Sequence, residues 1–223
     1  MSRRTRMAGV AIASLLSLAT LGEAQAADGS DSLQQEINEV LATTQGGVQI
    51  SRNEIAWNGG EAILVFPLPG ETTAPVSSPA AQTLQAEVAA LGNLATTEEP
   101  AGDDPEPSAS VAAADACPTE AFGNDWYCFY QYTNYGGRRL QWNGTHDLFN
   151  PVFFSDYGFE NKTSSWSNKG GKTIQVRNRS VTGSDPSCSA HGNGLFLWTE
   201  AAHSRSSNVG SGYDNKADCF WTS

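Results

Sequence analysis

Four cysteines and three histidines are the side chains of this sequence best suited to covalent, redox or metal chemistry: Cys117, Cys128, Cys188 and Cys219, and His146, His191 and His203. The cysteines show no C-x-x-C spacing and have no paired histidines beside them, so a zinc site is not indicated. An even set in a secreted chain reads as disulfides. Four cysteines allow three pairings, and 117–128 with 188–219 is favoured because each bond then staples one half of the segment. The histidines belong to no H-E-x-x-H motif. There is no G-x-S-x-G, and no glycine loop placed to cradle a phosphate. Gly192-Asn193-Gly194 and Gly210-Ser211-Gly212 read as hairpin turns. The expected chemistry is binding rather than turnover, with no required cofactor.

The elements that must position these residues are unevenly spread. The 223 residues carry 13 Lys and Arg against 24 Asp and Glu, a net charge of -11. Residues 1–26 hold +2, residues 27–116 hold -13, and residues 117–223 are neutral. All but Trp57 and Phe66 of the 21 aromatics follow residue 116. No segment after residue 26 has net positive charge, which argues against an electrostatically driven nucleic-acid partner. Residues 1–26 read as a secretory signal: Arg3, Arg4 and Arg6, an apolar run from 8 to 21, then Ala24-Gln25-Ala26. No later run is long and apolar enough to span a bilayer, so a secreted protein with no membrane association after signal removal is expected.

Residues 27–70 read as a leader or pro-segment. Leu33, Ile37, Val40 and Leu41 fall on one face of a helix over 31–44. Two apolar runs around Asn58-Gly59-Gly60 then suggest a hairpin, which Pro67 and Pro69 close. Residues 71–116, with five prolines, 13 alanines, eight acids and no aromatic, have the composition of a disordered acidic linker. Leu84, Val88 and Leu91 give a helix over 80–95 only a thin apolar face.

From residue 117 to 223 the pattern is short β-type runs broken by Gly and Asn. Trp126–Tyr132, 138–142, 172–177 and 195–198 are the strand candidates. Two segments share the order acid–Asn–Lys–x–x–x–aromatic: Glu160-Asn161-Lys162 running to Trp166, and Asp214-Asn215-Lys216 running to Phe220. Two such units suggest a duplicated Greek key in an antiparallel, all-β sandwich. Asn143, Asn161 and Asn178 open N-x-S/T tripeptides, to which no role is assigned.

The Cys-Pro-x8-Trp-Tyr-Cys-Phe-Tyr segment, Tyr135-Gly136-Gly137-Arg138, and the run from Tyr157-Gly158-Phe159 to Trp166 resemble the βγ-crystallin superfamily. The resemblance is closest to secreted bacterial proteins of peptidase inhibitor family I36, the Streptomyces metalloproteinase-inhibitor type. It covers 117–223 and implies a double Greek-key sandwich. The superfamily's aromatic–x4–aromatic–x–Gly corner fits Tyr130, Tyr135 and Gly137; the second corner, Trp198, His203 and Arg205, has lost its glycine. Calcium-binding members carry (Asn/Asp)(Asn/Asp)-x-x-(Ser/Thr)-Ser, whose oxygens suit a hard cation. The resemblance therefore marks Glu160, Asn161 and Ser164 in the first copy, and Asp214, Asn215 and Asp218 in the second, as candidate Ca²⁺ ligands. Glu160 departs from the pattern, and Cys219 stands where serine is expected.

The resemblance implies a monomeric, secreted inhibitor whose partner is an extracellular protease, held by a rigid loop. The candidate loops are 182–193, tethered by Cys188, and 143–150. The alternative reading is a βγ-crystallin module without inhibitory activity that binds calcium, a glycan or a cell surface, as an antifungal protein would, with Trp142 and Trp221 as sugar-stacking candidates.

Overall fold

The computed structural model describes residues 24–95, 115–118, 126–179, 188 and 195–223. Helix α1 (Ala24–Thr43) is followed by three short strands, β1 (Val48–Ser51), β2 (Glu54–Trp57) and β3 (Ala62–Val65), and then by helix α2 (Pro79–Ala95). The C-terminal domain contributes β4 (Trp126–Tyr132), β5 (Gly136–Asn143), β6 (Val152–Phe153), β7 (Ser165–Asn168), β8 (Ile174–Asn178), β9 (Leu195–Glu200), β10 (Ser204–Ser206) and β11 (Cys219–Thr222).

These strands form two antiparallel sheets, ordered β1-β2-β3-β5-β4-β7-β10 and β6-β11-β8-β9. Strands β4 to β7 make one Greek key and β8 to β11 a second. Each key lends its third strand to the opposite sheet: β6 pairs with β11, and β10 with β7. This reciprocal exchange makes the domain a βγ-crystallin-like double Greek-key sandwich. Between the sheets, Phe129 packs against Phe154 and Phe220 at ring-centroid distances of 4.8 and 5.0 Å, with Leu140, Ile174, Val176 and Leu197 around them. The disulfides are Cys117–Cys128 and Cys188–Cys219.

The leader is built into this sandwich. The hairpin expected around Asn58–Gly60 is a three-stranded meander, with an additional turn at Arg52 and Asn53. Its last strand pairs with β5 in the register Ala62↔Trp142, Ile63↔Gln141, Leu64↔Leu140 and Val65↔Arg139. Alternate side chains enter two cores. Ile55, Trp57, Leu64 and Phe66 join the main core together with Leu33, Ile37 and Val40 of α1. Ala56, Ile63 and Val65 face a second cluster with Ala74, Ala81 and Leu84, under α2. Burial on both faces is why residues 63–66 are continuously apolar instead of alternating.

The expected linker over 71–116 is therefore corrected in its first part, since residues 71–95 are folded. Ser78 caps α2, its Oγ accepting from the Ala81 N–H at 3.3 Å, and Pro79 occupies the first helical position. Among the described side chains of α2, Ala81 and Gln85 are buried, and Leu84 and Val88 half-buried. Small side chains let α2 lie close to the sheet, so a scan for large apolar residues undervalues it. Buried Glu54 accepts from the Ser78 N–H at 2.9 Å and from the Ser78 hydroxyl, fixing the helix start to β2. Trp142 and Trp221 are both buried, which corrects their reading as surface sugar-stacking residues.

Candidate functional site

The two acid–Asn–Lys segments meet as reciprocal loops. The Asn161 N–H donates to the Ala217 carbonyl at 2.9 Å, and the Asn215 N–H donates to the Thr163 carbonyl at 3.2 Å. Both asparagines sit at a left-handed φ of 55°, a conformation Asn tolerates better than most residues. The candidate ligands lie in this pair of loops, and several of their side-chain atoms already have partners. Glu160 Oε1 accepts from Arg179 Nη2 at 2.8 Å, and Asp218 Oδ2 accepts from the Arg179 backbone N–H at 2.6 Å. The Ser164 hydroxyl donates to the Gln131 carbonyl at 2.9 Å. Asn215 Nδ2 donates to Asp214 Oδ2 at 3.3 Å. Burial, reinforced by the nearby Glu160 charge, holds the Asp218 carboxyl above its ordinary range despite the Arg179 N–H.

Against a cation here stands the Glu160–Arg179 pair; Asp214 Oδ1 and Asp218 Oδ1 are buried without a hydrogen-bond partner. Hard-cation sites gather several free oxygen ligands, whereas here a fixed guanidinium already neutralises Glu160. Among the described residues, no group of three or more His, Cys, Asp or Glu side chains is placed to hold a metal ion. Arg179 follows Asn178 in an N-x-S tripeptide, and nothing in the local sequence shows that it reaches back to Glu160.

The first aromatic corner has the expected geometry. Tyr130 and Tyr135 pack edge to face at 5.3 Å, and Gly137 takes a φ of 72° where a Cβ would lie 2.8 Å from the Gln131 and Tyr132 side chains. Behind this corner is a buried carboxylate. Asp115 accepts from Lys169 Nζ at 2.7 Å, from the Ser167 hydroxyl at 2.9 Å and from the Cys117 N–H at 3.2 Å, with Arg205 Nη1 at 3.5 Å. Burial alone would raise the Asp115 carboxyl, but Lys169 and Ser167 outweigh it and hold the group below its ordinary range. The shallow recess lined by Lys169, His203 and Arg205 thus has two of its charges engaged by the chain's own Asp115.

Of the two candidate loops, 182–193 lies outside the described residues apart from Cys188. The other, 143–150, is a clamped turn. Asp147 Oδ1 accepts from the Phe149 N–H at 2.9 Å and the Asn150 N–H at 3.0 Å, closing an Asx turn. His146 is fixed to the end of β11: its N–H donates to Thr222 Oγ1 at 3.0 Å, and its carbonyl accepts from the Thr222 N–H at 2.6 Å. Its ring Nε2 lies 2.9 Å from Glu61 of the leader. Leu148 packs on the Cys188–Cys219 disulfide and Trp221. Phe149, at the tip, is 90% exposed, the most exposed of the large apolar side chains described. The sequence offered a cue to this turn in Asp147 preceding Asn150-Pro151, but none to the exposure of its phenylalanine.

Residues 111–180 match the model of peptidase inhibitor family I36, a span that takes in the first Greek key, the clamped turn and Arg179. The chain is similar to that family over this span, which covers about a third of its length. No curated protein matches this sequence. A solved structure described as "Evolution of the eye lens beta-gamma-crystallin domain fold" is similar at 15% identity, covering 44% of this chain and 84% of that one, with a TM-score of 0.31. The strand exchange described above, and not that superposition, defines the fold of the C-terminal domain.

Proposed function

We propose that this chain is a secreted inhibitor of an extracellular metalloprotease, and that the turn over 146–150 is its contact loop. The observation that carries the reading is Phe149, held in solvent at the tip of a turn pinned through Asp147, Thr222 and Leu148. A loop fixed before docking loses little conformational freedom on binding, which is how rigid inhibitors gain affinity over flexible substrates. An aromatic anchor entering an apolar subsite is the kind of contact that dominates such interfaces. The I36 match over 111–180 supports an inhibitor-type binding protein over an enzyme. Residual activity of a thermolysin-type protease, titrated with the full chain, tests the proposal. A stoichiometric fall in activity is expected; unchanged activity at excess of the full chain contradicts it.

A further inference from the structure

The contacts between residues 24–95 and the C-terminal domain are those of a stably bound partner. The β3–β5 ladder is extended at both ends: the Asn143 N–H donates to the Glu61 carbonyl at 2.8 Å, and the Gly137 N–H donates to the Thr72 carbonyl at 2.8 Å. Arg138 meets Glu36 of α1 at 2.8 Å and lies over the Phe66 ring at 4.8 Å. Buried Arg139 donates to the Ala74 carbonyl at 3.3 Å, and Gln141 Nε2 to the Ser77 hydroxyl at 3.0 Å. Trp57 packs edge to face on Tyr157 at 5.3 Å. Gly158, at a φ of 64°, leaves room for Val40, whose Cγ1 would lie 3.0 Å from any added Cβ.

The chemistry is matched on both sides. The leader supplies a strand to an edge that would otherwise be open, apolar side chains to both faces of that strand, and a carboxylate opposite Arg138. Without the leader, β5 would expose its ladder groups, Arg139 would lose the Ala74 carbonyl and Gln141 the Ser77 hydroxyl, leaving their bond to each other at 3.0 Å.

We propose that the β5 edge is a docking surface whose occupant is this chain's own segment 24–95, held by these contacts and not by the covalent connection through 96–114. Severing that connection leaves a tight two-piece complex. A covalent tether of modest length supplies an effective concentration on the order of millimolar. An interface with a full ladder and two apolar faces does not depend on that contribution at micromolar protein. The proposal is independent of the protease-inhibitor reading.

The test uses the full chain with a specific protease site inserted within 96–114. After cutting, both pieces are expected to co-elute in native size exclusion at micromolar concentration, with the near-UV circular dichroism of the uncut protein and one melting transition. They should separate in denaturant and regain that signal only when mixed in a one-to-one ratio. Separate elution of a folded C-terminal piece overturns the proposal, and so does loss of the near-UV signal on cutting.

Discussion

Replacing Leu64 with alanine probes whether leader and sandwich are one cooperative unit. Leu64 lies in β3, fully buried, opposite Ile55 on one side and Leu140 of the C-terminal domain on the other. Removing its side chain leaves a cavity between two paired strands with little freedom to collapse. Such truncations cost about 2–5 kcal/mol. For a protein of this size each kcal/mol corresponds to about 2–4 °C in melting temperature, so a loss of about 3 kcal/mol lowers it by about 6–12 °C. Trp126, Trp142, Trp166 and Trp221 all belong to the C-terminal domain. In a Trp57→Phe background, which removes the leader's own tryptophan, fluorescence therefore reports on that domain while the mutation sits in the leader. Thermal unfolding followed by tryptophan fluorescence and by far-UV circular dichroism should shift together, in one transition. An unchanged fluorescence melt, with only a fraction of the helical signal lost early, would refute the single-unit reasoning.

Glu200 is fully buried, and its carboxyl is pushed well above the ordinary range by burial, which the hydrogen bond from Trp198 Nε1 at 3.0 Å opposes. Between the ordinary value and the raised one, the unfolded chain is ionised while the folded chain keeps its proton, so stability falls as pH rises through that window. Glu200→Gln keeps the Trp198 bond, and should melt higher than wild type at neutral pH and flatten the dependence in pH-resolved melts. Asp115 behaves in the opposite sense. Its lowered carboxyl contributes stability above the ordinary carboxylate range, and that contribution is lost as pH falls through the folded value. Asp115→Asn should cost about 1–3 kcal/mol at neutral pH, read by urea denaturation, with a smaller difference from wild type in acid. Millimolar Ca²⁺ should leave the wild-type melting temperature unchanged, because Arg179 already neutralises Glu160. Arg179→Gln should acquire a calcium-dependent rise.

Periodicity and cysteine spacing made much of the architecture legible. The α1 face of Leu33, Ile37 and Val40, the aromatic corner at Tyr130 and Tyr135, and the pairing of Cys117 with Cys128 follow from local patterns or from the logic of stapling halves. The duplicated acid–Asn–Lys segments announced two Greek keys, and their reciprocal loops are the result. What stayed hidden depends on partners distant in sequence. Helix α2 is held by Ser78 on Glu54 and by small alanines under the sheet, neither of which a large-residue apolar stripe would register. The seating of β3 on β5 is a contact across about eighty residues, for which the leader's acidity gave no cue. The calcium pattern around Glu160 gave no sign of its neutralising charge, Arg179, which lies 19 residues further on. Phe149 was legible as part of a turn, but its exposure is set by Leu148 turning inward onto the disulfide.

The comparison that bears most directly on the inhibitor account is the inhibition constant of wild-type chain and of Phe149→Ala against the same thermolysin-type protease. Phe149 makes no core contact, so the two proteins should melt within about 1 °C of each other, a surface change costing at most a few tenths of a kcal/mol. Loss of a buried aromatic anchor at an interface weakens binding by about 2 kcal/mol or more, a rise in the inhibition constant of about thirtyfold or more. Equal inhibition by the two proteins would contradict the assignment of the 146–150 turn, and absence of inhibition by either would contradict the function itself.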